Sequence, residues 1–159
     1  MIWEELDKNL IFQNLEAEKS DDVFEKLGGE FIRYGYAKDS YIRALKERES
    51  DFPTGLDIGG FGIAIPHTDI SHVNKDGVAI ASLKKPVHFI QMGTNDEPVD
   101  VNLVFMLSVK DPAKHMSHLQ RIVEIIQDQR VLEKIKAAEA CEGVINIIKD
   151  KEIQLETAA

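Results

Sequence analysis

The sequence has few of the residues and segments that mark secreted, membrane or disulfide-bonded proteins. A single cysteine, Cys141, excludes an internal disulfide and a cysteine-based metal site. No apolar run approaches the roughly 20 residues that a membrane-spanning helix needs. The acidic N-terminus, residues 1–7, has neither the basic region nor the long apolar region of a signal peptide. We therefore expect a cytoplasmic protein.

Positive charge is also scarce. The chain has 19 Lys and Arg against 28 Asp and Glu, a formal net charge of −9, and no dense basic run. Such a chain is repelled by phosphate backbones, so no nucleic-acid partner is predicted. Neither GxxxxGK[ST] nor GxGxxG occurs, so no nucleotide cofactor is expected, and the absence of HExxH leaves little support for a metal.

The remaining composition and patterning predict one α/β domain spanning residues 1–159. A hydrophobic content of 43% and a charged content of 30% are typical of a globular protein of this length. Strand patterns interleave with helical ones, which favours a mixed sheet covered by helices. The strand candidates are residues 10–12, 61–65, 77–83 and 101–109, the last being long and apolar enough to lie centrally. Residues 84–100 form a long excursion with a short strand at 87–90.

Helical periodicity fills the rest of the chain. One helix begins at Ser20, and a second runs from about residue 40 and ends before Asp51. The pair Gly28-Gly29 in the first helix suggests close approach to another backbone. Three more helices occupy the C-terminal third, and the tail from Glu152 to Ala159 is expected to be frayed.

The segment Gly62-Ile-Ala-Ile-Pro-His67 combines an apolar strand, a terminating proline and a histidine. Proline cannot donate to a sheet ladder, so the strand should end there and present His67 at the sheet edge. A neutral imidazole in that position can accept a phosphoryl group if its other nitrogen is fixed by a nearby carbonyl or by Asp69. The position alone equally fits a polar loop residue.

Two further residues could support such chemistry. His115 lies at the start of the helix after the long strand, where it can donate a hydrogen bond to an anion, although His118 competes for the same role. Arg48, the last basic residue of the second helix, could neutralise phosphoryl oxygens, or could simply be an exposed cation at a helix end. The histidines together with an acidic residue leave a metal-dependent hydrolase as an alternative.

The residues around these candidates resemble the fructose/mannitol/galactitol-type IIA component of the bacterial phosphoenolpyruvate-dependent sugar phosphotransferase system. The segment 62–67 resembles the phosphorylation-site motif of that family, and residues 41–49 resemble its helix that ends in a phosphate-proximal arginine, here Arg48. Residues 115–135 resemble the later helices and align the second active-site histidine with His115. The resemblance covers nearly all of residues 10–149, and residues 48–56 and 87–89 are most similar to the galactitol-type branch.

The resemblance implies a three-layer fold with a mixed, mostly parallel sheet, and a cytoplasmic phosphotransferase without a cofactor. In this family His67 would accept a phosphoryl group from the histidine phosphocarrier protein, with Arg48 neutralising charge and His115 stabilising the group. His67 would then pass the phosphoryl group to a IIB component, which phosphorylates the sugar entering through the membrane component IIC. A regulatory IIA-like protein, whose phosphorylation controls a protein partner, is the alternative within the same family.

Overall fold

A five-stranded β-sheet with helices on both faces forms the centre of the computed structural model, which describes residues 1–158. Three short 3-10 helices at Ile2–Glu5, Lys8–Leu10 and Ile70–His72 supplement the main elements. The main elements are β1 (Ile11–Leu15), α1 (Ser20–Arg33), α2 (Tyr41–Asp51), β2 (Gly55–Ile58), β3 (Phe61–Ala64), β4 (Gly77–Ile90), β5 (Pro98–Ser108), α3 (Pro112–Ile126), α4 (Gln129–Ala137) and α5 (Cys141–Thr157).

The strands lie in the order β1-β4-β5-β3-β2. β1 pairs with β4 and β3 with β5 in parallel, whereas β4 pairs with β5 and β2 with β3 antiparallel. The prediction of a mixed sheet covered by helices is confirmed, and β5 occupies the predicted central position. This order places the end of β3 beside β5, so the loop after β3 and the helix after β5 belong to neighbouring strands.

Each face of the sheet carries its own hydrophobic core. α1 and α2 cover one face with side chains that include Phe24, Leu27 and Tyr41, all fully buried. α3, α4 and α5 cover the other face, where Ile122 and Leu132 are buried. Burying one such large apolar side chain stabilises the fold by about 1.5–3 kcal/mol. The resulting arrangement has three layers, and among residues 1–158 no helix is both long and apolar enough to cross a membrane.

The boundaries of β1, β3 and β5 differ from the predicted ones by up to three residues, and two larger differences occur elsewhere in the sheet. β4 is one strand from residue 77 to 90 instead of a strand at 77–83 followed by an excursion. Pro86 is accommodated because the ladder with β5 is irregular between Ser82 and Val87, where a missing N–H donor costs little. The pattern also missed β2, a four-residue edge strand containing glycine and aspartate, and α2 includes Asp51.

The expectation of a frayed C-terminal tail is wrong for residues 152–157, which are the last turns of α5; Ala159 lies outside the described residues. The carboxylate of Glu152 is fully buried (0% exposed). It accepts hydrogen bonds from the backbone N–H groups of Ile2 at 3.0 Å and Trp3 at 2.7 Å. These two hydrogen bonds join the first 3-10 helix to α5 and satisfy the buried carboxylate. The apolar pattern of the sequence does not predict them.

Two glycines explain how closely the elements approach each other. A Cβ at Gly62 would overlap the backbone carbonyl of Asp100 on β5, so only glycine fits this point of the β3–β5 pair. A Cβ at Gly28 would lie 2.9 Å from the side chain of Ile42 on α2. The prediction of a close backbone at Gly28-Gly29 is therefore wrong: the neighbour of Gly28 is a side chain, and a Cβ at Gly29 would meet nothing within 4 Å.

We expect opposite effects from alanine at two of these glycines. Gly62→Ala should lower the free energy of unfolding by about 2–3 kcal/mol, because β3 must move away from β5. Gly29→Ala should raise it by about 0.5–1 kcal/mol, because the helix loses a flexible residue and the methyl group has room. Urea unfolding of both variants measures these free energies. An unchanged free energy of unfolding in Gly62→Ala would contradict the close contact between Gly62 and the carbonyl of Asp100.

Candidate functional site

The chain beyond β3 stays hydrogen-bonded to both neighbouring segments. The N–H of Ile65 donates to the carbonyl of Thr54 at 3.3 Å, and the N–H of Leu107 donates to the carbonyl of Pro66 at 3.0 Å. Proline leaves no N–H to satisfy at that position. The backbone immediately before His67 is therefore fixed by the sheet, as the proline-terminated strand predicted.

The ring of His67 is oriented by its own backbone. Its Nδ1 lies 2.8 Å from the carbonyl oxygen of Ile65. Because a carbonyl can only accept, Nδ1 carries the proton and Nε2 of the neutral ring keeps its lone pair. Of the two groups expected to fix this tautomer, the carbonyl does so, whereas the Asp69 carboxylate accepts from the N–H of Ser71 at 3.0 Å.

His115 lies beside His67. It belongs to the first turn of α3, whose start is capped by the Asp111 carboxylate accepting from the N–H of Ala113 at 3.0 Å. The two imidazole rings have centroids 5.0 Å apart and planes inclined by 65°. His118 does not share this position: it is 9% exposed, and its Nε2 lies 2.7 Å from a Glu5 carboxylate oxygen. The geometry therefore places His115, not His118, next to His67.

Arg48 reaches the same place from the last turn of α2. Its guanidinium carbon lies 5.1 Å from the centroid of the Phe52 ring. Its Nε is buried, and within residues 1–158 it has no hydrogen-bond partner. None of the ion pairs formed by the described residues involves Arg48. The positive charge is thus available to an incoming anion.

The three predicted residues line one open cavity of about 310 Å³. A cation, an imidazole with a free lone pair and a second imidazole at a helix start suit a tetrahedral oxyanion. Sequence reasoning missed the surrounding apolar side chains, which no periodicity marks because they lie on separate elements. The complete lining is Arg48, His67, Thr68, Asp69, Ile70, Pro112, His115 and Met116.

Both histidines are shifted toward the neutral form. Burial is the main cause that lowers the pKa of His67; the Ile65 carbonyl counteracts part of it, and the charges of His115 and Arg48 lower it further. Burial also lowers the pKa of His115, followed by the charge of Arg48 and then of His118. Both shifts favour the neutral ring at pH 7, which a nucleophilic imidazole requires.

The described side chains around the cavity do not form a metal-binding cluster. Across residues 1–158, no group of three His, Cys, Asp or Glu side chains converges in the manner that would hold an ion. Asp69 is the acidic residue in the cavity, and one of its oxygens is engaged by Ser71. Within the described residues the fold therefore adds no third metal ligand to His67 and His115, and the alternative of a metal-dependent hydrolase receives no support from it.

Comparison with known proteins gives consistent matches along most of the chain. The family model for the phosphoenolpyruvate-dependent sugar phosphotransferase system, EIIA 2, matches residues 4–151. The galactitol-specific EIIA component of the PTS system from Escherichia coli is 30% identical over 114 residues, covering 72% of this chain and 75% of that protein. A nitrogen regulatory protein from Bradyrhizobium diazoefficiens is 28% identical over 72% of this chain and 71% of its own length.

Solved structures share the fold. The IIA mannitol protein of Escherichia coli superposes with a TM-score of 0.75 at 22% identity, covering 90% of this chain and 98% of that one. The complex of enzyme IIAMTL with phosphorylated enzyme IIBMTL, also from Escherichia coli, contains a chain that superposes with a TM-score of 0.76 at 21% identity, covering 91% and 97%. These similarities establish the three-layer arrangement as one already seen in IIA proteins.

We expect Arg48→Met to raise the pKa values of both His67 and His115 toward the ordinary value of 6.5, because a neighbouring positive charge is removed. Ring-proton NMR titration measures both values. Arg43→Met, on the same helix but 87% exposed at its side chain, is the control and should leave both unchanged. Unchanged titration in Arg48→Met would contradict the proximity of its charge.

The same lowered pKa values predict the pH dependence of stability. The unfolded chain takes up protons on these histidines at a higher pH than the folded chain does. The free energy of unfolding should therefore fall as the pH drops from 6.5 through the lower folded-state pKa values, and be insensitive to these groups above that range. Urea unfolding between neutral and mildly acidic pH measures this fall in the free energy of unfolding. The fall should be smaller in the His67→Ala variant, which lacks one of the two histidines.

Proposed function

Because the chain belongs to the EIIA 2 family of the phosphoenolpyruvate-dependent sugar phosphotransferase system, we propose that it is a cytoplasmic phosphocarrier with His67 as its phosphoryl acceptor. Members of this family transfer phosphoryl groups between proteins. The observation that carries the assignment of the residue is the orientation of His67, whose Nδ1–H points at the Ile65 carbonyl and whose Nε2 is free. Arg48 and His115 occupy the same cavity and would receive the phosphoryl oxygens.

The transfer balances without a cofactor. A donor phosphohistidine, protonated on its other ring nitrogen, loses its P–N bond and leaves as a neutral imidazole. The lone pair on Nε2 of His67 forms the new N–P bond, and His67 becomes the cationic phosphoimidazole with its proton still on Nδ1. The Ile65 carbonyl, 2.8 Å away, stabilises that positive ring. The protein must therefore position an in-line attack and neutralise oxygen charge, which Arg48 and the His115 N–H do.

The surface around the cavity suits transient protein partners. Phe52 is 62% exposed, Ile70 37% and Met116 58%, and all three lie at Arg48 or along the cavity lining. Exposed apolar side chains at one place favour protein docking. We propose the histidine phosphocarrier protein as donor and a IIB component as acceptor, the latter supported by the IIAMTL–IIBMTL complex. IIB would in turn serve the membrane component IIC, and the galactitol-specific relative favours a galactitol-like polyol.

A regulatory role is the second candidate. The similarity to a nitrogen regulatory protein, at 28% identity, is the observation that favours it. In that case the phosphorylation state of His67 would control binding to a protein partner. The two roles share the acceptor chemistry and differ in whether the phosphoryl group is passed on.

Incubation with phosphoenolpyruvate, enzyme I and the histidine phosphocarrier protein tests the acceptor. We expect a single acid-labile, base-stable phosphoryl group on each chain, and none on His67→Ala. Arg48→Ala should be labelled about a hundredfold more slowly, because phosphoryl charge is no longer neutralised. Arg43→Ala, an exposed arginine on the same helix, is the control and should match the wild type. Labelling that persists in His67→Ala would refute the assignment.

Onward transfer separates the two candidate roles. Phosphorylated protein is mixed with a galactitol-type IIB component, and the label on each protein is followed with time. Rapid appearance of label on IIB supports the transport role. Label that stays on His67 with IIB present supports the regulatory role and contradicts the carrier proposal.

A further inference from the structure

The carboxylate of Glu49, the residue after Arg48, is engaged entirely within the fold. One oxygen accepts from the N–H of Thr54 at 2.7 Å, and the other accepts from the Thr54 hydroxyl at 2.8 Å. Both oxygens therefore bind a single residue, five positions along the chain and 3% exposed. Two charge-assisted hydrogen bonds to one residue fix that residue more tightly than either bond alone.

No cation compensates this carboxylate by direct contact: the ion pairs within residues 1–158 do not include Glu49. Burial raises the pKa of Glu49, and the bonds from Thr54 and the charge of Arg48 counteract part of the rise. Placing a carboxylate in a partly buried position is costly unless its hydrogen bonds are made. Thr54 supplies those bonds.

Thr54 is itself bound to the segment that carries the acceptor. Its carbonyl receives the N–H of Ile65 at 3.3 Å, one residue beyond the last registered β2–β3 pair, Gly55 with Ala64. The carbonyl of Ile65 in turn receives Nδ1–H of His67 at 2.8 Å. Hydrogen bonds from Glu49 to Thr54, from Thr54 to Ile65 and from Ile65 to His67 therefore connect the carboxylate on α2 to the imidazole, with the backbone of Thr54 and of Ile65 between them.

We propose that Glu49 is a positioning residue that holds His67 in the Nδ1–H tautomer and aims Nε2 into the cavity. It acts through the backbone of Thr54 and of Ile65 and does not touch the phosphoryl group. The inference rests on the proposed function of His67 as acceptor. α2 thereby contributes twice to the site: Arg48 provides charge and Glu49 provides orientation.

A purely structural role is the competing explanation, in which Glu49 closes the end of α2 and its loss merely loosens Arg48. The two explanations differ in the ring of His67. Loss of positioning changes the tautomer, whereas displacement of Arg48 changes the transfer rate and leaves the Ile65–His67 hydrogen bond in place. Ring nitrogen-15 chemical shifts distinguish the two imidazole tautomers directly.

The experiment uses the full chain with Glu49→Ala, Glu49→Gln and Thr54→Val. Glu49→Ala removes both bonds, Thr54→Val removes the bond from the hydroxyl, and Glu49→Gln removes the negative charge and replaces one accepting oxygen by an amide that donates. Glu47→Gln is the matched control, because Glu47 lies on the same helix with its side chain 70% exposed. Arg48→Ala serves as the second control, since it should slow transfer without changing the tautomer. The readouts are nitrogen-15 shifts of His67 and the rate of phosphoryl acceptance from the histidine phosphocarrier protein.

We expect the second tautomer of His67 to become populated in Glu49→Ala, with acceptance slowed about tenfold. Glu49→Gln and Thr54→Val should give a smaller change of the same kind and carry the test if Glu49→Ala fails to fold. An unchanged tautomer in the folded variants overturns the proposal, whether or not the rate falls. If the wild type accepts no phosphoryl group, the proposed function fails, while the tautomer comparison still decides the role of Glu49.

Discussion

Two hydrogen bonds from neighbouring chain segments fix the peptide groups of Ile65 and Pro66 where β3 ends. One comes from the Leu107 N–H on β5, and the other joins the Ile65 N–H to Thr54 before β2. A histidine three residues beyond a free strand end would sample many orientations, and its ring would bond mainly to water. Here the Ile65 carbonyl lies between two backbone hydrogen bonds that hold the chain, so the imidazole that donates to it has a defined tautomer and a defined exposed nitrogen. The position of the reactive atom follows from backbone pairing more than from side-chain packing.

The second constraint is electrostatic. The protein carries a formal net charge of −9, yet Arg48 in the cavity forms no ion pair within the described part of the chain, although Asp69 lines the same cavity. Neutral histidines beside a cation avoid mutual repulsion and leave the guanidinium group free to bind an incoming anion. Burial and the charge of Arg48 act in the same direction on both rings, so one arginine tunes the nucleophile and would also receive its product. The net negative charge of the rest of the protein repels anions away from the cavity.

Much of this arrangement could be read from the sequence because its signals are local. Proline ended the strand before His67, helical spacing placed His115 on the first turn of α3, and the apolar length of β5 indicated its central position. What escaped prediction depends on distant partners. β2 is only four residues long, contains glycine and aspartate, and exists because β3 pairs with it; β4 passes Pro86 because the ladder is irregular there. The bonds of Glu49 to Thr54 involve no periodic pattern at all.

The hydrogen bonds that Glu152 accepts from the N–H groups of Ile2 and Trp3 have a consequence for biosynthesis. A ribosome releases the chain from its N-terminus, so these two N–H groups emerge long before their acceptor does. The N–H groups of the first 3-10 helix therefore lack this acceptor until Glu152, 150 residues after Ile2, has been synthesised. The same delay affects β1, whose partner β4 is separated from it by two helices and two strands. Docking of α5 on the first 3-10 helix therefore requires that residues 2–152 have all been synthesised.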